Sequence, residues 1–195
     1  MSIKKKTQSA SSEHWLDAFK EFVAEFKGET DRAAVILGAA KLDYMLYQIL
    51  SKYLLPSVSS KDELLEGESA LSSFSSRINA CHRLGLINSE FTRTLHLIRK
   101  IRNSFAHEVS GTKLDSGPHR DRIRELAAPF GHTYAYKFVR EGYFTDKSGP
   151  SADFFIILSI AVMRLEGVFD NIMPLTDENA IELCPSSFTE DEGEA

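Results

Sequence analysis

Cysteine is scarce in this chain. The two present, Cys81 and Cys184, are far apart and neither sits in a CxxC pair. That spacing argues against a zinc site or a disulfide framework and suits reduced thiols in the cytoplasm. No secretory leader is expected either, because Met1–Ser12 carries Lys4, Lys5 and Lys6 but no apolar core. Long hydrophobic runs are missing. The most apolar stretch, Phe154–Val162, is too short to span a bilayer. Glycine is not gathered into a phosphate-cradling loop and no Walker pattern occurs, so nucleoside triphosphate hydrolysis finds no support. There is no G-x-S-x-G elbow and no paired-carboxylate signature. No His, Cys, Asp or Glu spacing suggests a metal, and no cofactor is expected. No helix-turn-helix with a convincing recognition helix, internal repeat or dividing linker stands out.

What remains is a chain of 195 residues, enough for one domain with a real core. The formal net charge is −5, so the molecule as a whole does not attract polyanions indiscriminately. The charge is uneven, however. Between Arg77 and His107 lie Arg77, Arg83, Arg93, Arg99, Lys100 and Arg102 against one acid, Glu90, whereas Thr176–Ala195 holds seven acids and no Lys or Arg. A basic stretch on an acidic protein can focus a polyanion at one place, or can simply be a solvated face.

Hydrophobic spacing predicts a mainly all-α protein. Residues 1–12 are expected to be disordered, 13–175 to form one domain, and 176–195 to be a flexible acidic tail. Trp15, Phe19, Phe22, Val23 and Phe26 recur at helical spacing over Glu13–Lys27. Thr30 or Asp31 can cap a second helix running to about Leu55, where Pro56 stops it. Further helices are expected over Glu68–Leu84, Asn88 to about His107, Pro118–Ala128 and Asp153–Met173. His132–Val139 alternates in twos and is rich in aromatics, which predicts a strand, with Tyr143-Phe144 returning as the second strand of a small β-hairpin. The sum is an antiparallel helical bundle with a β-hairpin insertion.

The feature that points most directly at chemistry is the hexapeptide Arg102-Asn103-Ser104-Phe105-Ala106-His107. A neutral imidazole can take a proton from a ribose hydroxyl near pH 7, and a guanidinium can hold charge on phosphate oxygens. On a helix at about 100° per residue, Leu97, Ile98, Ile101 and Phe105 share the core face. His96, Lys100, Asn103 and His107 share the other. Arg102 lies roughly 140° around from His107. The two would converge only if the helix deformed near Ser104 or if two chains met. A bland role is equally open: a His at a helix end is often a cap, and Arg102 could pair with Asp43.

Arg102-Asn103 followed by His107 matches the R-N-x-x-x-H signature, and in it the chain resembles the HEPN superfamily (higher eukaryotes and prokaryotes nucleotide-binding domains). With Leu71–Ile78 and Arg83–Ile87, the stretch is similar to the mannitol-operon-repressor (MltR-type) family, an all-α, HEPN-like group. The resemblance covers Asp31–Glu108. The helix near Phe154 fits more loosely, and the hairpin and acidic tail fall outside.

The resemblance implies a homodimeric, metal-independent endoribonuclease of toxin or defence type. His107 would act on the 2′-hydroxyl, Arg102 on the phosphorane and Asn103 as an orienting group, leaving a 2′,3′-cyclic phosphate. From the residues themselves, the basic stretch offers Arg93, His96, Arg99 and Lys100 to RNA, and Asp43 on a facing second helix could orient Arg102 or His107; an antitoxin could hold the enzyme silent. MltR-type proteins are instead named as transcriptional regulators, which implies the alternative: a catalytically silent regulator or interaction module with a protein partner. His82 could also touch phosphate, and Tyr134, Tyr136 or Phe138 could stack bases, although packing explains each as simply. His119 and His132 share no metal-ligand spacing. No membrane partner is expected, and the compartment is cytoplasmic.

Overall fold

The computed structural model describes residues 19–108, 111–178 and 180–181. The expectations for Met1–Ser12, Trp15 and Cys184, and for the acidic residues beyond 181, lie outside that span. Seven helices occur among the described residues, and no strand: α1 over residues 19–27, α2 Asp31–Tyr53, α3 Phe74–Arg83, α4 Ser89–His107, α5 Gly117–Ala127, α6 Tyr134–Tyr143 and α7 Gly149–Asn171.

The bundle is built around α2 and α7. Phe154 to Val162 of α7 are buried without interruption, so this helix is covered on all sides. Its one polar residue in that run, Ser159, donates back to the Phe155 carbonyl at 2.8 Å. Gly38 of α2 sits against α7 so closely that a Cβ there would run into Leu158 and Phe26. α2 is the described helix long and apolar enough by composition to cross a membrane, rather than the shorter Phe154–Val162 run. One face of it, with Ala34, Val35, Leu42, Leu46, Ile49 and Leu50, packs inside the bundle, while Leu37 and Tyr44 face outward.

α2 and α7 run parallel. At their N-terminal ends Ser151 donates to Asp31 at 2.8 Å, and at their C-terminal ends Lys52 Nζ donates to the Phe169 carbonyl at 2.6 Å and Leu175 N–H to the Tyr53 carbonyl at 2.8 Å. The long chain between them permits a parallel pairing. Short connections elsewhere give antiparallel neighbours, as between α3 and α4. There the turn closes with Gly85 at φ 75°, Leu86 N–H on the Cys81 carbonyl and Gly85 N–H on the His82 carbonyl. This is the left-handed cap that glycine adopts without a Cβ penalty.

Two elements differ from expectation. The β-hairpin is absent: Tyr134–Tyr143 is α6. Residues 134, 136 and 138 alternate, yet the stretch also satisfies a helical period, with Tyr134 stacked on Phe138 one turn on at 6.2 Å. Thr133 caps the helix by accepting from Tyr136 N–H at 3.2 Å. An isolated hairpin is marginal without a sheet to join, whereas the helix docks on α7 through the Tyr136 hydroxyl donating to Asp153. The second difference is that α3 starts at Phe74 instead of Glu68. Ser73 and Ser76 form a reciprocal capping box there, and residues 68–73 are spent in turns.

Candidate functional site on the basic helix

α4 is positioned by a cap and a stripe. Asn88 accepts from Phe91 N–H at 2.8 Å, and Leu95, Leu97, Ile98, Ile101 and Phe105 are buried as helical spacing requires. The motif therefore sits in the last turns of a helix whose apolar face is fixed. α4 is unbroken through Ser104, whose hydroxyl accepts from Arg122 of α5 at 2.8 Å. The deformation that would bring Arg102 and His107 together is not present.

The candidate residues separate accordingly. Arg102 is exposed, with Nη1 donating to Asn103 Oδ1 at 3.1 Å. His107 is exposed, and its side chain makes no hydrogen bond or ion pair among the described residues. Arg93 reaches away to Glu125 at 3.3 Å, and Lys100 projects into solvent. His96 is half-buried, its Nε2 donating to Asn79 Oδ1 at 3.0 Å. Burial, and then the charges of Arg99 and Lys100, hold its pKa below the ordinary histidine value. His82 donates to the Ile87 carbonyl at 3.2 Å, a turn-closing role.

Asp43 does not support Arg102. Its Oδ1 accepts from Arg77 Nη1 at 2.8 Å, and Arg77 also donates to the Leu71 and Leu65 carbonyls. Arg77 outcompetes Arg102 because its guanidinium is largely enclosed, at 13% side-chain exposure, where a charge needs a partner most.

Arg99, Arg102 and Asn103 do come together, in a cleft of about 800 Å³ between α2, α3 and α4. Tyr44 and Tyr47 of α2, stacked at 6.2 Å, form one wall, with Arg77 over the Tyr47 ring at 5.3 Å. The start of α3, from Ser73 to Ser75, forms another. Arg99 has its Nε fully buried without a hydrogen-bond partner. His107 does not line this cleft.

Two arrangements do not follow from the sequence pattern. One is the brace under the motif. His119 is buried against Phe105 at 4.7 Å and donates from Nε2 to Glu108 at 3.3 Å. The Thr112 hydroxyl, then His119 and Arg122, hold the Glu108 carboxyl below its usual pKa. The other is a groove of about 1440 Å³ lined by Phe91 of α4, Phe130, Tyr134 and Phe138 around α6, and Met163 and Val168 of α7. Tyr134 is 82% exposed there. Misreading α6 as a strand hid this groove, since only the helix sets Tyr134 beside Phe138. Among the described residues no three His, Cys, Asp or Glu side chains are arranged to hold a metal.

No family profile and no curated protein matches the chain. Among solved structures it is similar to the X-ray structure of the MtlR–HPr complex from Escherichia coli. The TM-score is 0.51 at 18% identity, over 76% of this chain and 99% of that one. At that identity the likeness concerns the fold, which is all-α and MtlR-like.

Proposed function

We propose that this protein is a catalytically silent, cytoplasmic regulatory module that acts by binding a partner protein. The observation that carries it is the shared fold with MtlR, a protein solved in complex with HPr. The site geometry supports the reading: within one chain Arg102 and His107 do not share a target, and among the described residues no hydrogen bond fixes the tautomer or orientation of His107. The groove beside α6 offers the contact surface, with the exposed Tyr134–Phe138 stack as an aromatic anchor and Glu90, Arg164 and Asp170 among its polar lining. A partner of this kind is HPr or a protein like it. As a regulator of transcription, such a module would work through protein contact and not by reading an operator.

Calorimetry with purified HPr tests this. Saturable binding is expected, weakened at least about tenfold in a Tyr134→Ala, Phe138→Ala double variant. Absence of binding, together with only free protein on affinity purification from cells, would overturn it.

A second reading is favoured by the free imidazole of His107 and the solvent-facing guanidinium of Arg102 on one helix end. In a homodimer, His107 of each copy could meet Arg102 of the other and form a HEPN-type, metal-independent endoribonuclease, with Asn103 orienting the site and an antitoxin as its partner. Incubation with total RNA in EDTA is then expected to yield 2′,3′-cyclic phosphate ends with the wild-type protein and none with His107→Ala. Intact RNA with both proteins removes this reading.

A further inference from the structure

The cleft between α2, α3 and α4 holds more positive charge than its own acids neutralise. Arg77, Arg99 and Arg102 line it against Asp43 and Glu66. Arg77 and Asp43 neutralise each other at 2.8 Å, and Glu66 Oε1 accepts from the Tyr47 hydroxyl at 3.4 Å. Arg99 is half-buried, yet its guanidinium has no hydrogen bond or ion pair among the described residues and its Nε is wholly enclosed. A half-buried guanidinium without an acceptor is costly, so the N–H groups that Arg99 turns to the cleft lining mark a place where an acceptor belongs. Arg102 spends one N–H on Asn103 and keeps the others.

We propose that this cleft is a binding site for a small anion carrying a phosphate group, held by the guanidiniums of Arg99 and Arg102. Two guanidiniums can take the phosphate oxygens in paired hydrogen bonds. The first turn of α3 adds to them: Ser73 caps Ser76 N–H, and Phe74 and Ser75, whose N–H groups precede the first intrahelical hydrogen bonds, line the cleft. Tyr44, 56% exposed on the opposite wall, gives a flat surface for the organic part of the ligand. A volume of about 800 Å³ holds a phosphorylated metabolite with room for its carbon skeleton. The site lies within one chain and uses no residue of the α6 groove, so it stands apart from the partner-binding reading.

Calorimetric titration of the full chain with inorganic phosphate, glucose 6-phosphate and glucose tests the proposal. Saturable binding of at least one phosphate probe below about 10 mM is expected. Tighter binding of glucose 6-phosphate assigns an organic phosphomonoester, and equal affinity for inorganic phosphate assigns the free anion. Arg99→Gln and Arg102→Gln, checked for native circular dichroism, should each weaken binding roughly tenfold. Arg124→Gln, the same charge change on exposed α5, should leave it unaltered. Glucose binding as tightly as its phosphate, no phosphate binding, or an equal loss in Arg124→Gln would each overturn the assignment.

Discussion

Arg77 of α3 donates to Asp43 of α2 at 2.8 Å and ties the helix pair that frames the arginine cleft. The same guanidinium holds the Leu71 and Leu65 carbonyls, so it also fastens the chain that leads into α3. Arg77→Ala leaves a half-buried carboxylate and two carbonyls without donors. A loss of about 2 kcal/mol is expected in urea unfolding, below the fully buried case because Asp43 is partly wet. An unchanged midpoint would show that water replaces the guanidinium without cost.

Gly38 marks the closest approach of α2 to α7. Alanine is the better helix former by about 1 kcal/mol, so on an open surface Gly38→Ala would stabilise. Its Cβ would instead press into Leu158, itself buried, and Phe26. A net destabilisation of roughly 1–3 kcal/mol is expected from overpacking. A rise in Tm would mean that Leu158 swings away freely.

Cys81 is fully buried, and burial pushes its thiol up to about 12. The folded pKa exceeds the ordinary value of 9.0. The resulting stability is therefore intact below pH 9 and lost as pH rises toward 12. In a Cys184→Ser background, alkylation at pH 8 should run at least about a thousandfold slower in native protein than in urea. Comparable rates would show that the bundle opens locally around α3.

His96 reports the field of the basic face. Its pKa is depressed by burial first, then by Arg99 and Lys100. Depression means that the contribution is present above the ordinary value of 6.5 and lost as pH falls through the folded value. Arg99→Gln should raise the imidazole titration midpoint followed by NMR, and phosphate occupying the cleft should do the same. A fixed midpoint would place Arg99 too far away to matter.

His107→Ala should change stability by less than about 0.5 kcal/mol, because the ring is exposed and makes no polar contact among the described residues. Thermal unfolding checks this. A large loss would assign His107 a packing role and would spoil its use as a test of catalysis.

Most helices were legible because their signals are local. Thr30 and Asn88 caps, Pro56 and Gly85 stops and the Leu97–Phe105 stripe each act within a few residues. Tyr134–Phe138 was misread because its aromatics fit a period of two and a helical turn alike, and the contact of Tyr136 with Asp153 on the following helix lies beyond the local pattern. The motif was found by spacing, and helical angles set Arg102 apart from His107, but they placed Asn103 with His107, whereas Asn103 lines the cleft with Arg99 and Arg102. That Asp43 belongs to Arg77 could not be read, since both arginines are one helix away and only their enclosure distinguishes them.

The parallel pairing of α2 and α7, tied near both ends by Asp31–Ser151, Lys52–Phe169 and Tyr53–Leu175, makes those two helices a stiff spine. α4 is the one described helix that reaches both flanking cavities, with Phe91 and Thr94 at the aromatic groove and Arg99 and Arg102 at the arginine cleft. One helix thus gives the two cavities a common wall, so a substitution that displaces α4 is expected to alter both of them at once.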